Sequence, residues 1–226
     1  MIRRDYLLRM VQEFAEALAR IRRSIAAGQY DEAGEDLDRA FLDLIGTGAE
    51  AVSQLSETEL LAQLTLNEPT HVVRQKSLML IALLQEAGQL HIAENRDAQG
   101  HACWLKALNL SLTLQMQDID FELPEFVPKI EMLHEQLREV PLPLRTLAAL
   151  WRHYERTGGY GKAEDALFAL LEAEPDNDAL ISEAKVFYER LLRQGNQALE
   201  AGNLPRKEVE AGLAELRATP GLTERS

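Results

Sequence analysis

The chain has 226 residues and a formal net charge of −13, and 46% of its residues are apolar while 27% are charged. This length and composition suit a globular protein that buries a sizeable core. The negative charge disfavours nucleic acid as a partner, because its phosphates would be repelled. Cys103 is the single cysteine, so no internal disulfide can form, and we expect a cytoplasmic protein.

The amino-terminal segment is basic, with six arginines against three acidic residues in its first thirty positions. It lacks the apolar core and small-residue cleavage site of a secretory signal. The longest apolar stretch without a charge, Ser77–Leu84, is far too short to span a bilayer. Because Asp5, Glu13 and Glu16 dilute the charge of the first helix, we predict that this helix packs through its apolar side rather than binding a membrane.

Two amphipathic helices open the chain. The first carries apolar residues every three or four positions, which is the spacing of one helix face. These residues are Ile2, Tyr6, Met10, Phe14, Leu18, Ile21 and Ile25. Gly28 marks the end of this helix, and Asp31 is a plausible cap for a second helix that runs to Ile45, before Gly46.

The middle of the chain continues in helices. Ser56 and Glu59 have capping-box spacing and predict a short helix that ends near Leu66. Pro69 suits the first turn of the next helix, which continues to Glu94. Further helices are expected at 99–115, 128–140, 144–157, 160–173, 179–200 and 205–217, with a loop at 118–128. Residues 218–226 read as a frayed tail, and no segment alternates with period two, so we predict no sheet.

Residues 144–177 match the pattern of a 34-residue tetratricopeptide repeat. The matching positions are Leu147, Leu150, Tyr154, Gly158, Tyr160, Ala163, Leu167 and Pro175. In this pattern Gly158 ends the first helix, Tyr160 fills the wedge between the helices and Ala163 lets the second helix approach closely. Pro175 ends the hairpin because it cannot donate a helical hydrogen bond.

Weaker copies of the pattern occur earlier. The middle copy comprises Leu84, Gly88, Gly100, Trp104 and Ala107, and half a copy comprises Gly28, Tyr30, Ala33, Leu37 and Ala40. The small residues Ala33, Gly100 and Ala163 are 67 and 63 positions apart, close to two repeat lengths each time. We therefore predict an all-α, tetratricopeptide-like superhelix of antiparallel helical hairpins with degenerate repeats, forming a single domain over residues 1–217.

Three segments also carry a resemblance to a known family. Residues 1–10 read MIRRDYLLRM, residues 154–160 read YERTGGY and residues 203–206 read NLPR. With these segments the chain resembles an uncharacterised bacterial family of tetratricopeptide-like helical proteins, over nearly its whole length. That family is a domain of unknown function, so the resemblance implies the fold and implies no activity and no catalytic residue.

Several side chains are candidate metal ligands. Glu131 and His134 have the i, i+3 spacing of di-iron bundles, but this motif occurs once, and His91 and Glu94 have the reverse order. Three carboxylates alternate in the predicted loop, at Asp118, Asp120 and Glu122, without the glycine and final glutamate of an EF-hand. We interpret all of these as surface or linker residues and assign no metal site.

No catalytic or cofactor-binding residue is assigned either. Cys103 is expected to be buried and inert, since His101 points elsewhere on the same helix. His71, His101 and His153 form no metal-ligand spacing. The glycine-rich segment at 158–161 lies between two helices rather than after a strand, so it predicts a turn and not a phosphate-binding loop.

These patterns favour a binding protein over an enzyme. The main hypothesis is a protein–protein interaction or scaffold module, whose concave repeat surface takes a protein or peptide partner, basic or helical in character. A small-molecule or metal-binding helical protein is the first alternative, motivated by Glu131, His134 and the carboxylates near Asp118. A structural homodimer that pairs through the first helix is the second.

Overall fold

The computed structural model describes residues 2–65, 69–117 and 123–218, and throughout these ranges the regular structure is α-helical, as predicted. The chain divides into two compact units, Met1–Pro141 and Leu142–Ser226. The first unit holds α1 (Ile2–Ala26), α2 (Tyr30–Ile45), α3 (Ala49–Gln54), α4 (Glu57–Thr65), α5 (Thr70–Ala93), α6 (Asp97–Gln117) and α7 (Ile130–Gln136). The second holds α8 (Leu144–Thr157), α9 (Tyr160–Ala173), α10 (Asp178–Leu192), α11 (Asn196–Ala201) and α12 (Arg206–Ala218).

The single domain expected over residues 1–217 stays a prediction, because two compact units can belong to one folding domain. Of the tail expected at 218–226, Ala218 ends α12, and the rest lies outside the described residues. The loop expected at 118–128 is described from residue 123 onward, where the chain forms turns before α7.

Residues with positive φ, the left-handed backbone conformation, follow several helices where the sequence predicts an end. Gly28, after α1, has φ 73°, and Gly158, after α8, has φ 81°, a region that costs glycine little. Asn95 and Asn203 have φ 59° and 57°, and asparagine is the side chain that tolerates this conformation best. Asn95 thus supplies the turn between α5 and α6, where no glycine is available.

The predicted capping box at the start of α4 is confirmed. The Ser56 amide donates to Glu59 Oε2 at 2.8 Å, and the Glu59 amide donates to Ser56 Oγ at 3.3 Å. Hydrogen bonds from the side chain and backbone of Ser56 lower the pKa of the Glu59 carboxyl. The two residues therefore satisfy each other's backbone donors, which fixes the first turn of α4.

Four features of the helices differ from the prediction. Asp31 is not the cap of α2; Gln29 holds that position, and Asp31 lies in the first turn, where its charge suits the helix dipole. Helix α3 was not predicted, and α7 is shorter than the expected 128–140. The helix expected at 179–200 is broken at residues 193–195. At this break Arg206 donates to the carbonyl oxygens of Leu192 and Gln194 at 3.0 and 2.7 Å, and so satisfies backbone acceptors there.

The core of the first unit is centred on α5. All residues from Ser77 to Gly88 are buried, so the longest apolar stretch of the sequence is a core helix. Helix α6 packs against it where two glycines face each other, and a Cβ added to Gly88 would lie 3.0 Å from the Gly100 carbonyl oxygen. The added Cβ would also overlap the Trp104 ring, whose Nε1 donates to the Gln85 carbonyl oxygen at 3.2 Å.

Helix α1 packs inward through its apolar stripe, as expected. Phe14, Leu18 and Ile21 are at most 9% exposed. Arg22, on the border of the stripe, donates to the buried carboxylate of Glu86 on α5 at 2.7 Å. Burial raises the pKa of Glu86 despite the opposing effect of Arg22. This ion pair joins α1 to the buried helix α5.

The second unit is built on the α8–α9 hairpin. Tyr154 and Leu167 are at most 2% exposed, and Ala163 is fully buried, as its place in the repeat pattern requires. Ala33 is also fully buried, and Gly100 is buried. Tyr160 extends beyond the expected wedge between α8 and α9, because its ring lies against Gly202 after α11.

A pair of glycine variants tests the packing of α5 on α6. Gly88→Ala should lower the free energy of unfolding by about 1–3 kcal/mol, because the added methyl group meets the Trp104 ring and the Gly100 backbone. Gly34→Ala is the control: its Cβ would meet only Leu90 Cδ2, at 3.9 Å, and alanine should stabilise α2 by about 0.5–1 kcal/mol. Urea unfolding measured by circular dichroism compares them, and a shift of both variants in the same direction would contradict the packing.

A second pair tests the hairpin. Ala163→Leu should lower the free energy of unfolding by about 1–3 kcal/mol, because α9 has no room for a larger side chain at this buried position. Ala173→Leu, at the exposed end of the same helix, should leave stability within about 0.5 kcal/mol of the parent. Thermal unfolding compares the two variants. Equal melting temperatures would show that Ala163 is not at a close contact.

Candidate functional site

The candidate metal ligands of the sequence lie in and at the end of α5, in α7 and in the segment before α7. On α7, Glu131 is exposed and His134 is half-buried. His91 Nδ1 lies 4.0 Å from Glu94 Oε2, and Arg96 also forms an ion pair with that carboxylate. Over the described ranges, no three side chains of the metal-binding types lie close enough to hold an ion. Asp118, Asp120 and Glu122 lie outside those ranges.

The remaining histidines serve packing or face solvent. His71 is exposed in the first turn of α5. His101 lies beside the Trp104 ring, with centroids 5.8 Å apart, and His153 is buried against the Tyr154 ring at 5.2 Å. These three side chains belong to different helices. The segment at 158–161 is a turn, as predicted, in which the Gly159 amide donates to the Tyr154 carbonyl oxygen at 2.9 Å.

Cys103 is buried, as the sequence suggested. Burial raises the pKa of its thiol to about 11, and the nearby positive charge of Lys106 lowers it only partly. The Lys106 ammonium instead donates to the carbonyl oxygens of Val52 and Ser53 at 3.1 and 2.5 Å, which satisfies the end of α3. A raised pKa leaves little of this thiol as the thiolate, which is the reactive form, at neutral pH.

The strongest candidate for a binding site is a groove of about 230 Å³ between α9, α10 and α12. Its apolar surface comes from Phe168 and Leu171 of α9, Ile181 of α10 and Leu216 of α12, with Pro175 at one end. Phe168 is 38% exposed, whereas the neighbouring Leu167 is 1% exposed. A large aromatic ring therefore remains accessible in this groove. We call it the acidic-rimmed groove, because Glu172 and Glu215 also line it.

Two carboxylates give this groove its charge. Glu172 is exposed and lies one helical turn after Phe168, on the same face of α9. Glu215 lines the opposite side, on α12. Among the residues that the structure describes, no basic side chain lines the groove. An apolar surface beside the exposed carboxylate of Glu172 is complementary to an apolar segment that carries Lys or Arg.

The base of the groove depends on Gly212 and Tyr188. A Cβ added to Gly212 of α12 would lie 2.6 Å from Tyr188 Cζ, so glycine is what lets α12 pack over this ring. The Tyr188 hydroxyl donates to Glu164 Oε1 on α9 at 2.6 Å. One side chain of α10 thus sets the spacing of the three helices that form the groove.

Tyr188 is the donor in this hydrogen bond. Burial and the Glu164 carboxylate both raise the pKa of the Tyr188 phenol, so it stays protonated at neutral pH. Burial also raises the pKa of Glu164, although the bond from Tyr188 opposes this shift. The bond therefore joins α10 to α9 beneath the groove.

A second groove, of about 300 Å³, lies in the first unit between α1, α2 and α5. Met10, Phe14, Leu44 and Met79 form its apolar surface. The charged side chains at its rim are Arg9 and Lys76, against Glu13 and Asp43. Because these charges balance, the rim gives no preference for the sign of a partner, and the acidic-rimmed groove is the more selective surface.

The residues of the acidic-rimmed groove were not identified from the sequence. Phe168 lies off the face of α9 that is formed by Ala163, Ala166, Leu167 and Leu170, all of them buried. An aromatic residue outside the apolar face of a helix was the available signal. Nothing in the local sequence, however, indicates that α12 packs beside it.

The described residues form an all-helical protein with an apolar groove that Glu172 and Glu215 also line. None of their helices combines the length and apolar character needed to cross a membrane. The sequence profile of a family of unknown function, DUF6483, matches residues 1–221, and the chain belongs to this family. No curated protein and no solved structure matches the chain significantly. Membership of a family of unknown function is thus confirmed, while its bacterial origin and its tetratricopeptide relationship stay predictions.

Thiol chemistry tests the environment of Cys103. With a pKa of about 11, on the order of one thiol in ten thousand is ionised at pH 7, far fewer than at an ordinary cysteine. Modification by a disulfide reagent at pH 8 should therefore be about a hundredfold or more slower in the folded protein than in urea. Equal rates in the two conditions would contradict the burial of this thiol.

Proposed function

We propose that this chain is a protein-interaction module whose acidic-rimmed groove binds a basic, amphipathic helical segment of a partner protein. The observation that carries this proposal is the exposed ring of Phe168 between the carboxylates of Glu172 and Glu215. The proposal assigns the chain a binding role and no catalytic residue.

Phe168 is the natural anchor of such an interface. Partly exposed aromatic rings in a pocket supply much of the binding energy at interfaces, because the partner removes their remaining surface from water. Leu171, Ile181 and Leu216 surround the ring with apolar surface that an apolar side chain of the partner can cover. Contacts of this kind supply affinity but distinguish poorly between partners.

The carboxylates supply the selectivity. Glu172 and Glu215 favour Lys or Arg on the partner beside its apolar face and repel an acidic segment. The net charge of −13 acts in the same direction at longer range, since it speeds the approach of a basic partner at low ionic strength. A segment with basic and apolar residues at helical spacing matches both features.

The tetratricopeptide-like arrangement belongs to the same proposal. The α8–α9 hairpin has the expected repeat length and a fully buried Ala163 at the position of close approach. In stacked hairpins of this kind, side chains outside the shared packing faces are free to form a binding surface. Phe168 occupies such a position on α9.

Two exposed apolar residues of the second unit allow a matched test. Phe168→Glu should weaken partner binding about thirtyfold or more, because it removes the aromatic anchor and adds a third carboxylate. Val186→Glu adds the same charge at a 42% exposed position on α10 that does not line the groove, and should leave binding within about twofold. The full chain, purified by affinity from its native cell, identifies the partner, and isothermal titration with the purified partner gives the affinities.

The outcomes separate the alternatives. Both variants should keep the melting temperature of the parent, since both positions are exposed. Binding of the parent should weaken with increasing salt, as expected for an acidic surface and a basic partner. Equal affinity of Phe168→Glu and the parent would contradict the proposal. Light scattering that shows a dimer, with no other stoichiometric partner, would instead favour the hypothesis of a homodimer that pairs through α1.

A further inference from the structure

The groove between α1, α2 and α5 has space because two small residues line it beside larger ones. Ala17 of α1 and Ala40 of α2 both line it, and both are half-buried. Phe14 and Leu44, within one turn of these alanines on the same helices, also line it and are each only 9% exposed. The small side chains leave a volume of about 300 Å³, at the lower end of the range for small-molecule sites. We call this space the α1–α2 groove.

The floor of the α1–α2 groove is apolar and adaptable. Met79 of α5 is 1% exposed, and Met10 of α1 is half-buried. The Phe14 ring is held by an edge-to-face contact with Phe126, with ring centroids 5.2 Å apart. Methionine side chains are flexible and polarizable, so they can close around an apolar group while the aromatic ring stays in place. A small apolar side chain therefore fits this floor.

The rim of the α1–α2 groove presents both signs of charge. Arg9 and Glu13 lie one turn apart on α1, and Asp43 lines the groove from α2; all three side chains are exposed. Within the described ranges, these three side chains form no ion pair. Lys76 also lines the rim, but it already takes part in an interaction within the structure. Arg9 is therefore the cation that can contact a ligand, and Glu13 and Asp43 are the anions.

A ligand with a single charge does not match this rim. A carboxylate alone would meet Arg9 beside two acidic side chains, and the net charge of −13 would repel it at longer range. An amine alone would leave Arg9 beside a like charge. A molecule that carries both charges next to an apolar group satisfies every part of the groove. Apolar α-amino acids have this chemistry, because one carbon carries the ammonium group, the carboxylate and the side chain.

We propose that the α1–α2 groove binds an apolar α-amino acid, with its carboxylate at Arg9, its ammonium group at Glu13 and Asp43, and its side chain against Met10 and Met79. The guanidinium group can donate two parallel hydrogen bonds to the carboxylate, which orients the ligand. Burial of the apolar side chain supplies most of the affinity. This site is a second role for the chain and does not rest on the function proposed for the acidic-rimmed groove.

Titration of the full chain with L-leucine tests the site directly. Saturable shifts of the Met10 and Met79 methyl resonances are expected at neutral pH in low salt. Glycine, which lacks the apolar side chain, should bind at least about tenfold more weakly. 4-Methylpentanoate lacks the ammonium group and 3-methylbutylamine lacks the carboxylate. Each should bind about fivefold more weakly than L-leucine, because each loses the ion pairs of one charge at an exposed rim.

Charge variants assign each contact. Arg9→Gln should weaken L-leucine binding about fivefold and leave 3-methylbutylamine binding within about twofold, because this amine has no carboxylate. Glu13→Gln should weaken both of these ligands and leave 4-methylpentanoate binding no weaker. Arg23→Gln removes one positive charge from an exposed position of α1 that does not line the groove, and should leave L-leucine binding within about twofold. A merely structural role of Arg9 would weaken all three ligands alike.

Filling the space gives an independent test. Ala17→Leu should abolish L-leucine binding and keep the melting temperature at or above that of the parent, because the added side chain occupies the groove. Ala15→Leu, at an exposed position of α1 outside the groove, should bind L-leucine like the parent.

The proposal is overturned if L-leucine causes no saturable shift, or if the analogues with a single charge bind as tightly as L-leucine. It is also overturned if Arg9→Gln binds L-leucine as tightly as Arg23→Gln, or if a folded Ala17→Leu binds it like the parent. None of these variants changes a residue of the groove around Phe168, so the two proposals fail independently.

Discussion

Glycines at helix contacts leave space for a specific neighbouring group, and the packing of both units depends on this constraint. At Gly88 the space is filled by the Trp104 ring, whose indole nitrogen bonds to the Gln85 carbonyl oxygen one turn away. The indole thus both fills the contact between α5 and α6 and satisfies its own polar atom inside the core. A larger residue at Gly88 has no such alternative, since the Gly100 backbone closes the other side.

The same constraint shapes the second unit. Gly212 admits the Tyr188 ring beneath the acidic-rimmed groove, and Gly202 admits the Tyr160 ring beside the turn after α11. In each case the aromatic ring is held by helix packing. The acidic-rimmed groove is therefore formed by close contacts between helices.

Sequence patterns predicted the elements well where the cause of an element is local. Helix α8, bounded by Pro143 and Gly158, and helix α9 have the predicted limits. Ser56 and Glu59 form the predicted capping box. The break between α10 and α11 was missed because its carbonyl groups are satisfied by Arg206, eleven positions beyond Gly195. The acidic-rimmed groove was missed for a related reason: its walls come from separate helices, and no single segment contains the pattern.

A backbone hydrogen bond joins the start of α9 to the turn that follows α11. The Gly161 amide, in the first turn of α9, donates to the Gly202 carbonyl oxygen at 2.9 Å, next to the left-handed Asn203. The last two helices thus complete the start of α9 and close over the Tyr160 ring, rather than forming a dispensable extension. A truncated chain that stopped at Leu192 would lose this bond, the Arg206 contacts to the end of α10 and the α12 wall of the acidic-rimmed groove together.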